Sequence, residues 1–504
     1  MIEILGHFAD GLAIAATPSN LLFCLIGALL GTLIGVLPGI GPLATMALLL
    51  PITYYLPPLA ALIMLSGIYY GAQYGGSTTA ILVNLPGETS SMVTMIDGHA
   101  MARRGRAGAA LSIAAIGSFF AGCVGTLMIA LFAPVLTTLA LRFSAPEYFS
   151  LMVLGLVAAV VLAQGSLLKA LAMMLLGLAL GLIGMDVNSA TPRFTFGVSE
   201  LYDGIGFVPV AMGLFGIAEV IANLERPERR DVMTRTIGSL LPSMQEFRDS
   251  IGPIIRGTGL GAILGLLPGG GAMLASIGSY ALEKQVAKDP STFGRGAIQG
   301  VAGPESANNA AAQLSFVPLL TLGIPGNPVI AMMLAAMVIH GIQPGPQVMT
   351  QRPDLFWGFI ASMWFGNLML LIINLPLVGI WVQLLKIPYR LLFPAILFFC
   401  CVGAFSLNNS VFEVALAVGF GALGYIFIKL NCEPAPLLLG FVLGPAMEEN
   451  LRRALLISRG DWTVLITRPL SLSFLLLAVV MMAAIAIPTI SRRRSEAFDQ
   501  GDSL

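Results

Sequence analysis

Charge is scarce in this chain of 504 residues: 26 Lys and Arg stand against 26 Asp and Glu, 10% of the sequence, and the net charge is zero. That balance leaves no basic field for nucleic acid and no acidic tail. Cysteine is sparse as well. Cys24, Cys123, Cys400, Cys401 and Cys432 lie in or beside apolar stretches without ligand-like spacing, which argues against a disulfide framework or a zinc site. The only histidines are His7, His99 and His340, none of them in a nucleophile–base context. A Gly-Lys-Ser/Thr phosphate loop is missing, so no element of the chain points to nucleotide hydrolysis. The first 20 residues lack a basic n-region, and the apolar run after them lacks a small-residue cleavage site. Residue 21 onward is therefore read as a first membrane segment and not as a cleaved signal peptide.

What the chain has in abundance is apolar residues, 57% of the total, together with 57 glycines. This composition excludes a soluble globular protein and specifies a polytopic membrane protein. In the first half the hydrophobic runs are 21–37, 59–72, 107–141, 148–163, 167–184 and 207–224. In the second half they are 254–267, 329–339, 356–385, 391–405, 411–428, 434–445 and 470–487. Several are shorter than the roughly 20 residues a full crossing needs. The short ones flank Pro-Gly breaks, as half-helices or re-entrant hairpins would. The expected fold is all-α, with broken helices and about 12 membrane segments.

An internal repeat organises these segments. Gly31-Thr32-Leu33-Ile34-Gly35-Val36-Leu37-Pro38-Gly39 returns as Gly261-Ala262-Ile263-Leu264-Gly265-Leu266-Leu267-Pro268-Gly269, and Gly27, Gly31 and Gly35 match Gly257, Gly261 and Gly265 at a shift of 230. Leu85-Pro86-Gly87 matches Ile324-Pro325-Gly326 at 239, and the nine additional residues fall in the polar stretch 284–292. Gly125 and Pro134 match Gly366 and Pro376 at 241 to 242; Pro209, Gly213 and Asn223 match Pro436, Gly440 and Asn450 at 227. Two tandem halves with breaks at the same places are the pattern of a repeat-built secondary transporter. The expected organisation is a first membrane repeat at 1–224, a charged cytoplasmic connector at 225–256, a second membrane repeat at 257–451, and a final helix with a basic cytoplasmic tail at 452–504. Arg103, Arg104 and Arg106 face only Arg352 in the other half, an asymmetry that favours inverted repeats under the positive-inside rule. Arg452, Arg453, Arg459 and Arg468 count against it, because inversion places them outside.

Polar residues inside such apolar chain are costly unless paired or facing water. Those singled out as substrate-binding candidates are Gly39, Gly41, Ser77, Thr78, Thr79, Asn84 and Gly87 in the first half. In the second they are Gly269, Gly270, Gly271, Asn308, Asn309, Gly326 and Asn327. Glycine-rich breaks free backbone N–H groups, and a half-helix N-terminus presents them to an anion with a favourable dipole; the carbonyl end of a half-helix suits Na⁺. Each piece has a structural reading beside this one. Glycines four apart serve close helix packing, and the Ser and Thr hydroxyls can bond back to their own helix. Glu305 is the candidate coupling-ion site, a carboxylate sharing a helix face with Asn308 and Asn309, with capping of a half-helix as the alternative.

At these residues the sequence resembles the large membrane subunit of the tripartite tricarboxylate transporters, the TctA family. The matching stretches are Gly35-Val36-Leu37-Pro38-Gly39-Ile40-Gly41-Pro42, Tyr74-Gly75-Gly76-Ser77-Thr78-Thr79, Asn84-Leu85-Pro86-Gly87-Glu88, Asp97-Gly98, Pro304-Glu305-Ser306-Ala307-Asn308-Asn309-Ala310 and Leu322-Gly323-Ile324-Pro325-Gly326. The resemblance implies a bacterial inner-membrane permease for citrate-like carboxylates. It implies a small four-helix TctB-like membrane subunit and a periplasmic TctC-like solute-binding protein as partners. It further implies uptake driven by Na⁺ or H⁺, with no cofactor, no catalysis and no nucleic acid. Competing readings are an intramembrane enzyme using Ser77 as nucleophile and a passive anion channel.

Overall fold

The computed structural model describes residues 2–37, 41–163, 166–186, 189–225, 239–267, 271–385 and 389–486. In the first half the helices are α1 (Ile2–Ala15), α2 (Pro18–Val36), α3 (Pro42–Thr53), α4 (Pro58–Val83), α5 (Met92–Arg103), α6 (Ala107–Ala140), α7 (Ala145–Leu162), α8 (Leu167–Gly181), α9 (Phe207–Ala211) and α10 (Ala218–Leu224). A π turn, Met212–Ile217, joins α9 and α10 into one rod. After them come α11 (Met244–Gly265), α12 (Gly271–Val286), α13 (Gln299–Leu314), α14 (Phe316–Leu322), α15 (Pro328–Ile339), α16 (Gln347–Gln351), α17 (Pro353–Asn374) and α18 (Val378–Leu384). The last are α19 (Tyr389–Asn408), α20 (Val411–Lys429), α21 (Ala435–Ile457), α22 (Val464–Thr467) and α23 (Pro469–Ala486). Six of these rods are long and apolar enough to cross a membrane, and five further apolar helices are shorter. The chain is an all-α, multi-pass membrane protein, as expected of a medium in which backbone groups must be satisfied within the segment.

Sequence chemistry sets many of the helix starts. Proline opens α2, α3, α4, α7, α15, α17 and α21, where its missing N–H costs nothing. Ser243 caps α11, its Oγ accepting from the Glu246 N–H at 3.2 Å. That helix continues without interruption from its charged first turns into the glycine-bearing segment, so residue 256 lies inside it.

The repeated glycines bring helix backbones into contact. A Cβ on Gly31 would lie 2.5 Å from the Ile68 carbonyl oxygen, and Gly27 and Gly35 abut the carbonyls of Met64 and Ala72, so α2 and α4 lie side by side. Gly257, Gly261 and Gly265 of α11 abut the carbonyls of Gly303, Ala307 and Ala311 of α13 in the same way. Met64, Ile68 and Ala72 map onto those three residues at the shift of 239 read from sequence. The two long helices that follow cross over. α6 lies along α11 and α13, with Gly117 against Ile254 and Ser306 and Gly125 against Gln313. α17 lies along α2 and α4, with the Cys24 thiol 3.8 Å from the Ser362 carbonyl and Gly366 against the Tyr70 hydroxyl.

α4 and the continuous stretch of α13 and α14 meet in opposite directions. Tyr69 packs edge-on against Phe316 at 6.0 Å between ring centroids, while eight residues further along α4 Ser77 reaches back to Glu305. A second group of helices carries comparable close approaches: Gly177 of α8 sits on Leu437 of α21, Gly440 of α21 on Met174 of α8, and Gly213 on Ala417 of α20.

Between α8 and α9 the chain forms a small hairpin, with β1 (Gly184–Met185) antiparallel to β2 (Pro192–Arg193). It is tied to the end of α21 by ion pairs, Arg193 to Glu448 at 2.8 Å and Asp186 to Arg452 at 2.8 Å, while Arg452 and Glu448 pair one turn apart within α21 at 2.6 Å. Arg453 pairs with Glu449 at 2.5 Å, and Arg468 with Glu147 at 2.6 Å. Three of the four arginines that weigh against inversion in the charge count therefore carry a carboxylate partner, which blunts them as topological signals.

Candidate functional site

The polar residues of α4, Gln73 to Thr79, turn inward and are all buried. Ser77 is the one that joins the halves. Its Oγ donates to Glu305 Oε2 at 2.5 Å, and the Thr94 hydroxyl of α5 donates to Glu305 Oε1. Glu305 has no exposed surface and, among the described residues, no ion pair. A carboxylate in such a place is held by charge-assisted hydrogen bonds from neutral hydroxyls and by its neighbours' amide dipoles.

Asn309, one turn along α13, has three acceptors within reach of the two protons of its Nδ2: the Glu305 carbonyl at 3.0 Å, Ser118 Oγ of α6 at 2.7 Å and Asn308 Oδ1 at 2.6 Å. Ser118 lines a narrow cavity together with Tyr74, Ser77, Thr78, Leu111, Ala114, Ala115 and Asn374. Ser77, Thr78, Glu305, Asn308 and Asn309 thus share one buried neighbourhood where α4, α5, α6 and α13 converge.

The other sequence candidates have different surroundings. Thr79 donates to the Val36 carbonyl at 2.7 Å, satisfying an orphan acceptor at the end of α2. Asn84 is exposed and ends α4 in the left-handed conformation, φ 60°, a place asparagine tolerates. Gly87 is buried against the Gly35 carbonyl and Gly76, where any side chain would collide. Gly326 is buried ahead of Asn327, which caps α15, its Oδ1 accepting from the Ile330 N–H at 2.9 Å and its Nδ2 donating to the Tyr69 hydroxyl at 3.3 Å. Its counterpart at the shift of 239, Glu88, starts the first-half break with a capping box to Ser91. Gly41 caps α3 and Gly271 opens α12 with φ +49°; a Cβ on either would meet nothing within 4 Å. Gly39, Gly269 and Gly270 lie outside the described residues.

Several residues of this neighbourhood escaped the sequence reading. Thr94, Ser118 and Asn374 were embedded in apolar or mixed runs, and the usable signal was a lone polar side chain inside a membrane helix. Tyr74 and Asp97 stand in the matching stretches without a site role, and from sequence Asp97 in particular reads as a membrane-boundary residue. It is fully buried and accepts from the N–H groups of Gly296 and Ala297 at 2.7 and 2.8 Å and from the Tyr280 hydroxyl at 2.9 Å. Those bonds tie α5, which carries Thr94, to the entry of α13, which carries Glu305. Asp97→Ala strands two backbone donors and is expected to cost about 1–3 kcal/mol per unsatisfied group, read as a lowered thermal midpoint of the purified protein.

Comparison with known proteins places these residues in context. The family model described as "Tripartite tricarboxylate transporter TctA family" matches residues 21–439. An Agrobacterium vitis protein described as "Uncharacterized 52.8 kDa protein in TAR-I ttuC' 3'region" is 56% identical over 502 residues, covering 100% of both chains. A second from the same organism, "Uncharacterized protein in TAR-II ttuC' 3'region", is 57% identical over 242 residues, 48% of this chain and 100% of its own length. No solved structure matches the chain.

Proposed function

The chain belongs to the tripartite tricarboxylate transporter TctA family, and from that premise we propose that it is the ion-driven permease subunit for organic-acid anions in a bacterial inner membrane. The observation that carries this reading is Glu305: a buried carboxylate, bound by Ser77 and Thr94 from the other half of the chain, at the crossing of α4 and α13. Such a group takes up a proton or a cation when one half moves against the other. Ser77, Thr78, Asn308 and Asn309 supply neutral donors and acceptors beside it, and the breaks at Gly41, Gly87, Gly271 and Gly326 supply backbone N–H groups for the anion.

The packing supports an organisation in inverted repeats. Under the shift of 239, Tyr69 and Ser77 of α4 correspond to Asn308 and Phe316, yet Tyr69 meets Phe316 and Ser77 meets Glu305. The two segments meet in opposite directions, which supports a two-fold relation between the halves with its axis in the membrane plane. The repeats are assigned to 1–224 and 257–451, joined by the 225–256 connector and followed by 452–504. Glu305 itself corresponds to Ser66, which bonds Tyr70 instead, so the carboxylate belongs to one half only. Transport by alternating access, with a TctB-like small subunit and a TctC-like periplasmic binding protein delivering the carboxylate, completes the proposal.

The test is reconstitution of the chain with those two partners in liposomes, following labelled citrate and other carboxylates with and without a Na⁺ or proton gradient. Gradient-dependent and binding-protein-dependent uptake is expected; uptake that ignores both overturns the reading. Asn309→Ala, Ser77→Ala and Gly326→Leu are each expected to cut uptake at least about tenfold, a loss of 1.4 kcal/mol, with membrane insertion retained on fractionation.

A further inference from the structure

The cavity beside Ser77 has a property that anion binding does not use: most of the residues around it carry side-chain oxygen. Five of its lining residues carry side-chain oxygens, Tyr74, Ser77, Thr78, Ser118 and Asn374; the rest are Leu111, Ala114 and Ala115, and none is Lys or Arg. Two of those oxygens, Tyr74 Oη and Asn374 Oδ1, are buried without a hydrogen-bond partner, on residues 3% and 5% exposed.

The orientation of the Asn374 carboxamide follows from its own helix. Nδ2 donates to the Leu370 carbonyl at 2.9 Å and to Thr32 Oγ1 at 3.3 Å. The Leu370 carbonyl can only accept, so the donor side of the amide must face it, and the amide oxygen is the atom left without a partner. Asn367, two turns earlier on α17, repeats this: Nδ2 donates to the Met363 carbonyl at 2.8 Å and Oδ1 has no partner. Ser77 lines the cavity as well. Its one proton has the Glu305 carboxylate at 2.5 Å as its nearer acceptor and the Gln73 carbonyl at 3.0 Å as the other, and whichever it takes, its oxygen keeps lone pairs to offer.

Resting on the transport reading above, we infer that this cavity is a binding site for a monovalent hard cation, Na⁺ in the first instance, with Tyr74, Ser77, Thr78, Ser118 and Asn374 offering oxygen ligands. Hard cations select neutral and anionic oxygen over nitrogen or sulfur. Glu305, one hydrogen bond away through Ser77, balances a single positive charge, so the site suits a monovalent ion and not a divalent one. It also couples the halves. Tyr74, Ser77 and Thr78 come from α4, Ser118 from α6, and Asn374 from α17. A cation held among them stabilises the arrangement in which Ser77 touches Glu305, and its departure frees both.

The experiment measures thermal unfolding of the full purified chain in detergent, without substrate or partner subunits, in NaCl, KCl and choline chloride at constant ionic strength. A saturable rise in midpoint specific to Na⁺ is expected, since a ligand bound to the folded state alone stabilises it by mass action. Tyr74→Phe preserves shape and removes one oxygen, and is expected to raise the half-saturating Na⁺ concentration at least about tenfold. Asn374→Asp adds a carboxylate in place of the amide and is expected to tighten Na⁺ binding, whereas Asn374→Leu abolishes the Na⁺-specific shift. Equal shifts in all three salts, or a Na⁺ response unchanged in both Tyr74→Phe and Asn374→Leu, overturn the site. Because no carboxylate is present, either result leaves the uptake assay to decide the transport reading separately.

Discussion

Gly31→Leu is expected to prevent the chain from assembling, with little or no monodisperse protein extracted from the membrane. The added Cβ alone would lie 2.5 Å from the Ile68 carbonyl oxygen and 2.8 Å from that of Gly67. Both obstacles are backbone of a fully helical segment, so neither can swing aside as a side chain would. Overpacking a close-packed core typically costs about 1–3 kcal/mol, and here the whole α2–α4 contact must open to admit four carbons, which puts the cost at the upper end or beyond. Gly261→Leu meets the equivalent wall at Ala307 and is expected to fail equally. Gly259→Leu is the control: it lies on α11, two residues away, and a Cβ there meets nothing within 4 Å. The measurement is the monodisperse yield and thermal midpoint of each variant in detergent. A Gly31→Leu protein as well behaved as Gly259→Leu would show that the glycines are not there for helix approach.

That contact was legible because its signal is periodic and doubled: glycine every fourth residue in two places at one fixed shift points to close helix packing without knowledge of the partner. The partner itself was half legible, since the same alignment relates Met64, Ile68 and Ala72 to Gly303, Ala307 and Ala311, but nothing in sequence says which face of α4 meets α2. The meeting of Ser77 with Glu305 was out of reach for a related reason. Each residue drew notice as a polar side chain in apolar surroundings, yet their contact depends on α4 and α13 crossing in opposite directions, a tertiary fact. Thr79 and Asn84 show the reverse difficulty. Both looked like their neighbours in sequence, while Thr79 spends its hydroxyl on the end of α2 and Asn84 its backbone on a left-handed cap. Asn367 and Asn374 were read as parts of an apolar run, because two amides in a 22-residue helix barely disturb its hydropathy. The arginines after residue 451 are weak topological signals for an electrostatic reason: charge counts treat them as free, and the carboxylates that pair with Arg452 and Arg468 sit far away in sequence, at Asp186 and Glu147.

Glu305→Gln is expected to remove gradient-driven uptake almost entirely while leaving the protein folded. The substitution keeps the side-chain volume, so the packing of α13 against α6 and α11 is undisturbed. The two hydroxyls that now donate to the carboxylate, Ser77 Oγ and Thr94 Oγ1, can rotate; one continues to donate to the amide oxygen and the other accepts from the amide nitrogen. What is lost is the ability to exchange a charge. A carboxamide neither takes up a proton nor neutralises a cation, so under the proposed mechanism movement of one half against the other would no longer be tied to an ion. Glu305→Asp retains the charge but withdraws it by one methylene from Ser77 and Thr94, and an intermediate rate is expected. Glu305→Ala removes the acceptor outright, stranding two buried hydroxyls at about 1–3 kcal/mol each, so it is expected to lose stability as well as uptake. Initial rates in liposomes and thermal midpoints in detergent, measured on the same preparations, separate these outcomes. Full uptake by Glu305→Gln under a gradient would remove Glu305 from the coupling step and leave it a structural bridge between the halves.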